Sequence, residues 1–395
     1  MSIPRGIVRL LCISALALSL TAACAFWIKP MTSDDPRYGG TEVDHGSPIG
    51  DHHRYRAMAE GDTLSYTYAP YNRRVLTPLI VKALPLDAEE GFYALTFLSV
   101  AATGVALFYA LSRMGLGGAP SLAGMFTFYS LSWYPAYSLG NFWLIDPLSL
   151  LLLALCVWAV AARRDALFAA LLVLAALNKE AGIFALALFY GLRATGPLDF
   201  RVMGRIVLVG LPALLVLYGL RLGIPAGGQT PYYFSWQLMD VVPKRLEEMT
   251  FPEAFGEYYL WTFGLVGGLL PLLSLASKEG RRMAVRLLPF VLLVYAQLLF
   301  ARDTGRLLVF AFPAVAILLA LGLKVLAKVA WVREVYLVPL PLVMFAANLL
   351  NLEGGSDANL DLQALLLAPY LLAVFVAGRL FGRDVREAHD KLEDQ

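Results

Sequence analysis

The sequence predicts an all-α fold, a polytopic transmembrane bundle of about 11–12 helices. Three observations predict it. Hydrophobic residues make up 59% of the 395 and charged residues 16%, with a mean hydropathy of +0.65, whereas an ordinary soluble chain is about 45–50% apolar and about 25% charged. Apolar windows of near-spanning length recur from end to end. Lysines and arginines gather in alternate connections, the pattern expected of short cytoplasmic loops in a multi-span protein.

The windows run at about 7–28, 90–112, 118–138, 147–162, 166–177, 181–192, 204–222, 259–276, 285–300, 306–323, 335–350 and 362–380. Those at 166–177 and 181–192 are too short to span alone at about 1.5 Å per residue, which suggests broken, tilted or re-entrant helices. At about 20 residues per span the length leaves no room for a soluble domain of about 100 residues. Residues 1–395 therefore read as a single integral-membrane domain. It has a first external loop with short helices at 29–89, a second long external loop at 223–258 and a cytoplasmic tail at 381–395. The stretch LTAAC at 20–24 and the arginines before the first window share features with a cleaved leader, but an uncleaved first span has the same charge pattern. Cys12, Cys24 and Cys156 lie in apolar runs without metal-ligand spacing and read as packing residues.

Charge sets the sidedness. Arg5 and Arg9, Arg113, Arg163 and Arg164, Arg193 to Arg205, Lys278 to Arg286, Lys324 to Arg333, and Arg379 to Lys391 fall on one side, the expected cytoplasm. Both termini then lie inside. The polar clusters of the other connections then face one external compartment, so any chemistry they carry is expected outside the inner (plasma) membrane.

The densest of those clusters is GDHHRYRAMAEGDTLSYTYAPYNRRVLTP at 50–78. Asp51 stands at a helix start, where the dipole favours an anion. A carboxylate there can take a proton from a hydroxyl nucleophile or hold a cation, and the plainer reading is an N-cap. Asp51 is the candidate catalytic residue, with His52 and Tyr55 beside it as candidate substrate contacts. Arg73 and Arg74 open a short apolar helix, and a guanidinium fork matches a phosphate or carboxylate. The alternative for this pair is snorkelling toward anionic headgroups.

Three further clusters follow. In GNFWLIDP at 140–147, capping accounts for Asp146 and an interfacial aromatic belt for Trp143, with substrate contact as the alternative for Asp146. Asn178, Lys179 and Glu180 interrupt what is otherwise a continuous apolar run, so the lysine and glutamate should be paired or face a polar cavity. In RDTGR at 302–306, Asp303 and Arg306 stand at a helix start that favours an anion, unless Asp303 simply pairs with Arg302. Carboxylates, cations and aromatic rings on one face are what an anionic, lipid-attached polar substrate needs.

Together these features resemble the GT-C superfamily of integral-membrane glycosyltransferases, which take sugars from polyprenyl-phosphate carriers on the external face. The matching features are Asp51 in DHHRYRAMAEG, the YNRRVLTPL segment, Asp146 in GNFWLIDP, the NKE turn and a D-x-x-R from Asp303 to Arg306. The resemblance implies that Asp51 is the base for the acceptor. It also implies that Arg73, Arg74, Lys179 and Arg306 hold the carrier phosphate, with Asp146, Glu180 and Asp303 as further substrate contacts. The implied partners are a polyprenyl-phosphate-linked sugar donor, membrane lipid and an acceptor glycan, lipid or protein. The first loop lacks the adjacent acidic pair seen in some relatives, so metal use is open: no cofactor is assigned, and a divalent cation is compatible. No Gly-rich strand-to-helix turn for a nucleotide is visible, and nothing points to nucleic acid. The competing reading is a multi-span transporter or a flippase of lipid-linked sugars, with the short helices around the NKE turn as broken transport helices.

Overall fold

A computed structural model of the chain describes residues 4–35, 51–61, 70–131, 134–196, 198–224, 242–250, 252–300, 304–351 and 356–381. Among these residues every regular element is helical. In chain order they are α1 (Arg5–Trp27), α2 (Asp51–Glu60), α3 (Leu76–Ala83), α4 (Ala88–Arg113), α5 (Gly118–Tyr129), α6 (Tyr134–Gly140), α7 (Asp146–Ala161), α8 (Asp165–Asn178), α9 (Ala185–Arg193), α10 (Phe200–Gly223), α11 (Val242–Glu248), α12 (Tyr258–Ser274), α13 (Lys278–Ala296), α14 (Thr304–Leu308), α15 (Phe312–Ala330), α16 (Pro339–Leu350) and α17 (Ser356–Phe381). Six segments are long and apolar enough to cross a membrane: Arg5–Trp27, Ala88–Arg113, Phe200–Gly223, Lys278–Leu299, Thr304–Ala330 and Asn359–Leu380. The protein is accordingly a helical membrane protein. The windows at 166–177 and 181–192 form the short helices α8 and α9, and the window at 118–138 is interrupted after Tyr129.

The chain divides into two compact units, one of residues 1–106 and 135–248, the other of residues 107–134 and 249–395. In the first unit α8 packs against both α7 and α10. On α10, Val207, Leu208, Leu211, Leu214, Leu215, Tyr218 and Leu222 point outward. An apolar face of that extent is costly in water and costs little in lipid. A second cluster of the first unit gathers Met31, Tyr55, Val75, Phe92, Phe142 and Trp143 beneath α2 and α3. Trp143, expected at an interfacial belt, is fully buried instead. Its indole N–H donates to the Met31 carbonyl at 2.7 Å, and its ring stacks on Phe142 at 4.8 Å between centroids. A buried tryptophan needs such a partner for its N–H.

The second unit is built on α15, buried along most of its length and packed against α12, α5 and α13. Its core includes Val266, Leu270, Leu319, Leu323, Leu340, Met344 and Leu367. Within α12 the helix breaks at Gly264, whose φ of 64° and ψ of −178° suit only a residue without Cβ. A Cβ there would stand 2.5 Å from Met344 Cε and 2.8 Å from Gln363 Oε1. The amide freed by the break is met from the side: Leu265 N–H donates to Gln363 Oε1 at 2.9 Å. The Gln363 amide nitrogen donates in turn to Asn348 Oδ1, which also accepts from Asn359.

Candidate functional site

The candidate site is organised by the NKE turn in the first unit. Helix α8 stops at Asn178 because Lys179 is extended, with φ −159° and ψ 137°, and Glu180 then starts a short 3-10 turn that leads into α9. The turn is tight enough that a Cβ on Gly182 would lie 2.7 Å from Ala175 Cβ. Each of the three polar side chains leaves the turn toward a different partner.

Asn178 is fully buried. Its amide nitrogen donates to the Ile145 carbonyl and to Ser149 Oγ, both at 2.8 Å, and its amide oxygen accepts from Thr77 N–H at 3.2 Å and Thr77 Oγ1 at 2.6 Å. It thus ties the first turn of α3 to the first turn of α7. Lys179 Nζ meets Asp146 Oδ1 at 2.6 Å, with side-chain exposures of 6% and 2%. Asp146 is the first residue of α7, with Pro147 beside it and Ile145 at the cap position. Beyond the cap expected of it, Asp146 holds one half of a buried ion pair. A charge taken out of water this completely needs its counter-ion more than it needs a helix end.

Glu180 reaches the other way, its Oε2 accepting from Arg74 Nε at 3.0 Å. Arg74 Nη1 also donates to the Tyr55 hydroxyl at 3.3 Å. Burial alone would lower the pKa of Arg74, but Glu180, Tyr55 and Asp51 outweigh it and hold the guanidinium charge more tightly than usual. The pairing expected of Lys179 and Glu180 is thus present, each with its own partner.

Asp51 opens α2, as its place in the sequence suggests. It shares a side-chain hydrogen bond with the Tyr71 hydroxyl, whose pKa is raised by burial first and by the Asp51 charge second. Two guanidiniums stand over the Tyr71 ring, Arg54 at 4.3 Å and Arg74 at 5.2 Å from its centroid, a favourable cation–π geometry. His52 is half-buried on the same helix, its ring 4.2 Å from that of His53. Asp51, Tyr55, Tyr71, Arg74 and Glu180 therefore form one connected polar group.

Beside this group is a cleft of about 230 Å³ lined by Pro70, Arg73, Arg74, Glu180, Leu217, Leu220 and Arg221. Three guanidiniums against one carboxylate leave it cationic. Arg73 donates to the Ile224 carbonyl at 3.4 Å, and its buried Nε has no hydrogen-bond partner. Arg221, in the last turn of α10, is exposed and is the one lining cation that the sequence reading passed over. Its signal was there to read: a lone arginine ending an apolar span at the same face as the 223–258 loop.

Two expected residues remain. Asp303 and its neighbour Arg302 lie outside the described residues. Arg306 is half-buried on α14 in the second unit. Among the described residues no group of three His, Cys, Asp or Glu side chains is placed to hold a metal ion. Comparison with protein-family models, curated proteins and solved structures gives no match to this chain.

Proposed function

We propose that the chain is a membrane glycosyltransferase of the GT-C type, a bundle of about 11–12 helices that moves a sugar from a polyprenyl-phosphate carrier to an acceptor at the external face of the plasma membrane. One observation carries this reading: a carboxylate, Asp51, joined through Tyr71 and Arg74 to a cleft lined by Arg73, Arg74 and Arg221. Acyl, phosphoryl and glycosyl transfers all need a base at one end and cations for the leaving charge at the other. Here Asp51 takes the proton of an acceptor hydroxyl as its oxygen bonds to the anomeric carbon of the donor sugar. The bond from that carbon to the carrier phosphate breaks, and the phosphate leaves with the electron pair. Arg73 and Arg221 receive that charge directly. Arg74, fixed by Glu180, keeps the field positive and orients Tyr55.

Lys179 and Asp146 act in this reading as positioning residues, since each satisfies the other in the interior. Asp303 and Arg306 belong to it through the sequence pattern alone. The test is transfer from a lipid-linked donor in membranes containing Asp51→Asn. Loss of a general base lowers turnover by about 100-fold or more, and unchanged turnover would remove Asp51 from the mechanism.

The break in α12 favours a second reading, a transporter or flippase. Discontinuous membrane helices mark many transport sites, and Gly264 with Gln363 forms such a discontinuity. Substrate uptake or flipping in proteoliposomes, without sugar transfer, would decide for it.

A further inference from the structure

The second unit carries a pocket that the proposed transfer reaction does not use. It has a volume of about 450 Å³ and lies between the start of α13, the end of α15 and the turn that follows. Its floor is apolar, with Leu321, Ala327 and Val332 buried. Its rim is charged. Lys324 and Lys328 stand four residues apart on α15, on one face of the helix, and Arg333 joins them, against Glu279 and Glu334. Three cations and two carboxylates leave the rim positive, and Arg281, Arg282 and Arg286 on α13 add to the field at the same end of the unit.

The turn that closes this pocket is built under strain. Trp331 has a φ of 55°, a left-handed conformation that is unfavourable for a bulky side chain. Backbone bonds hold it on one side, Trp331 N–H to the Lys328 carbonyl at 3.3 Å and Val332 N–H to the Ala327 carbonyl at 3.0 Å. On the other, the Arg379 guanidinium sits 3.9 Å over its ring. This reversal places Arg333 and Glu334 at the mouth in place of a further helical turn. Strain held by several contacts is concentrated where ligands are clamped.

We propose that this pocket binds the phosphate headgroup of an anionic phospholipid. The phosphate lies between Lys324 and Arg333, with the glycerol and first acyl carbons on the apolar floor. Lys324 stands six residues before the end of α15, about 9 Å into the helix, so its ligand reaches past the rim toward apolar surface. A free phosphate has no use for that floor, and a lipid has. Basic pockets between membrane helices recognise anionic headgroups in this way. By the distribution of Lys and Arg along the sequence this is the end expected to face the cytoplasm.

The test uses the full chain, purified in detergent, and does not depend on transfer activity. Phosphatidylglycerol, phosphatidylcholine and inorganic phosphate are titrated separately while bound lipid is counted by native mass spectrometry and the melting temperature is followed. The wild type should retain one phosphatidylglycerol in preference to phosphatidylcholine. Lys324→Gln with Arg333→Gln should weaken that binding by about 30-fold, with the lipid-free melting temperature reporting that the variant is folded. Lys82→Gln, on α3 of the first unit, should leave it unchanged. Equal retention of the two lipids overturns the proposal, as does wild-type affinity in the double variant. Saturation by inorganic phosphate with no preference between lipids overturns the lipid assignment as well.

Discussion

Lys179 Nζ lies 2.6 Å from Asp146 Oδ1, and both side chains are almost completely buried. A pair of this kind binds two parts of the first unit together at a large desolvation cost, so its two halves are not independent. Lys179→Met takes the counter-ion from a buried carboxylate and should lower unfolding stability by about 3–5 kcal/mol. Lys179→Met combined with Asp146→Leu should recover most of that loss. Denaturant unfolding in detergent checks both; a double variant as unstable as the single one would show that packing, and not charge, fixes this contact.

Asn178 makes four hydrogen bonds from a fully buried side chain. Asn178→Ala leaves the Thr77 amide and hydroxyl without this partner, while the Ile145 carbonyl still accepts from Ser149. At about 1–3 kcal/mol per buried group left unsatisfied, the variant should lose at least about 2 kcal/mol. It should also loosen α3 against α7, seen as faster hydrogen exchange in residues 76–83. Unchanged exchange there would place the tie elsewhere.

Tyr71 gives a pH dependence with a definite sign. Its pKa is raised in the folded chain by burial and by Asp51. The unfolded chain therefore releases this proton first, at about pH 10. The stability contributed by the neutral hydroxyl is complete below that pH and falls as pH rises toward the folded value. Tyr71→Phe removes this component, so the drop in melting temperature between pH 8 and pH 10.5 should be smaller than in the wild type. An identical drop would mean that neither burial nor the Asp51 charge raises the Tyr71 hydroxyl in the folded chain.

Arg221 separates binding from folding. It is exposed and ends a helix, so Arg221→Ala should change stability by no more than about 0.5 kcal/mol. If the cleft holds the donor phosphate, the same variant should raise the donor KM about tenfold or more, the loss of one charge-assisted contact. An unaltered KM would exclude Arg221 from the donor site.

The helical, membrane-crossing character was legible because it rests on composition and on runs of apolar residues, which are local quantities. The NKE turn was legible for the same reason: three polar residues in an apolar run must be satisfied, whatever the fold. The identity of their partners was not, since Asp146 and Arg74 lie 33 and 106 residues away along the chain and no local pattern connects them. Asp146 read as a cap because a carboxylate before Pro147 at a helix start has the form of one, and only the packing of α8 on α7 gives it a lysine. Trp143 read as interfacial for a similar reason. Its burial depends on Met31 and Phe92, which the sequence places before it without a signal of contact. Arg221 was hidden by its position at the end of a span, where arginines are common, and became visible through the cleft it lines.

The bond from Glu180 to Arg74 also has a consequence for how the protein is made. At about 5–20 residues per second of synthesis, the 106 residues between them correspond to roughly 5–20 s. For that interval the nascent first loop has left the ribosome with Arg74 lacking its carboxylate and Thr77 lacking the Asn178 amide. The cationic wall of the cleft is thus assembled late, when the NKE turn arrives to dock, and a nascent chain arrested before that turn would display α3 with neither of its anchors.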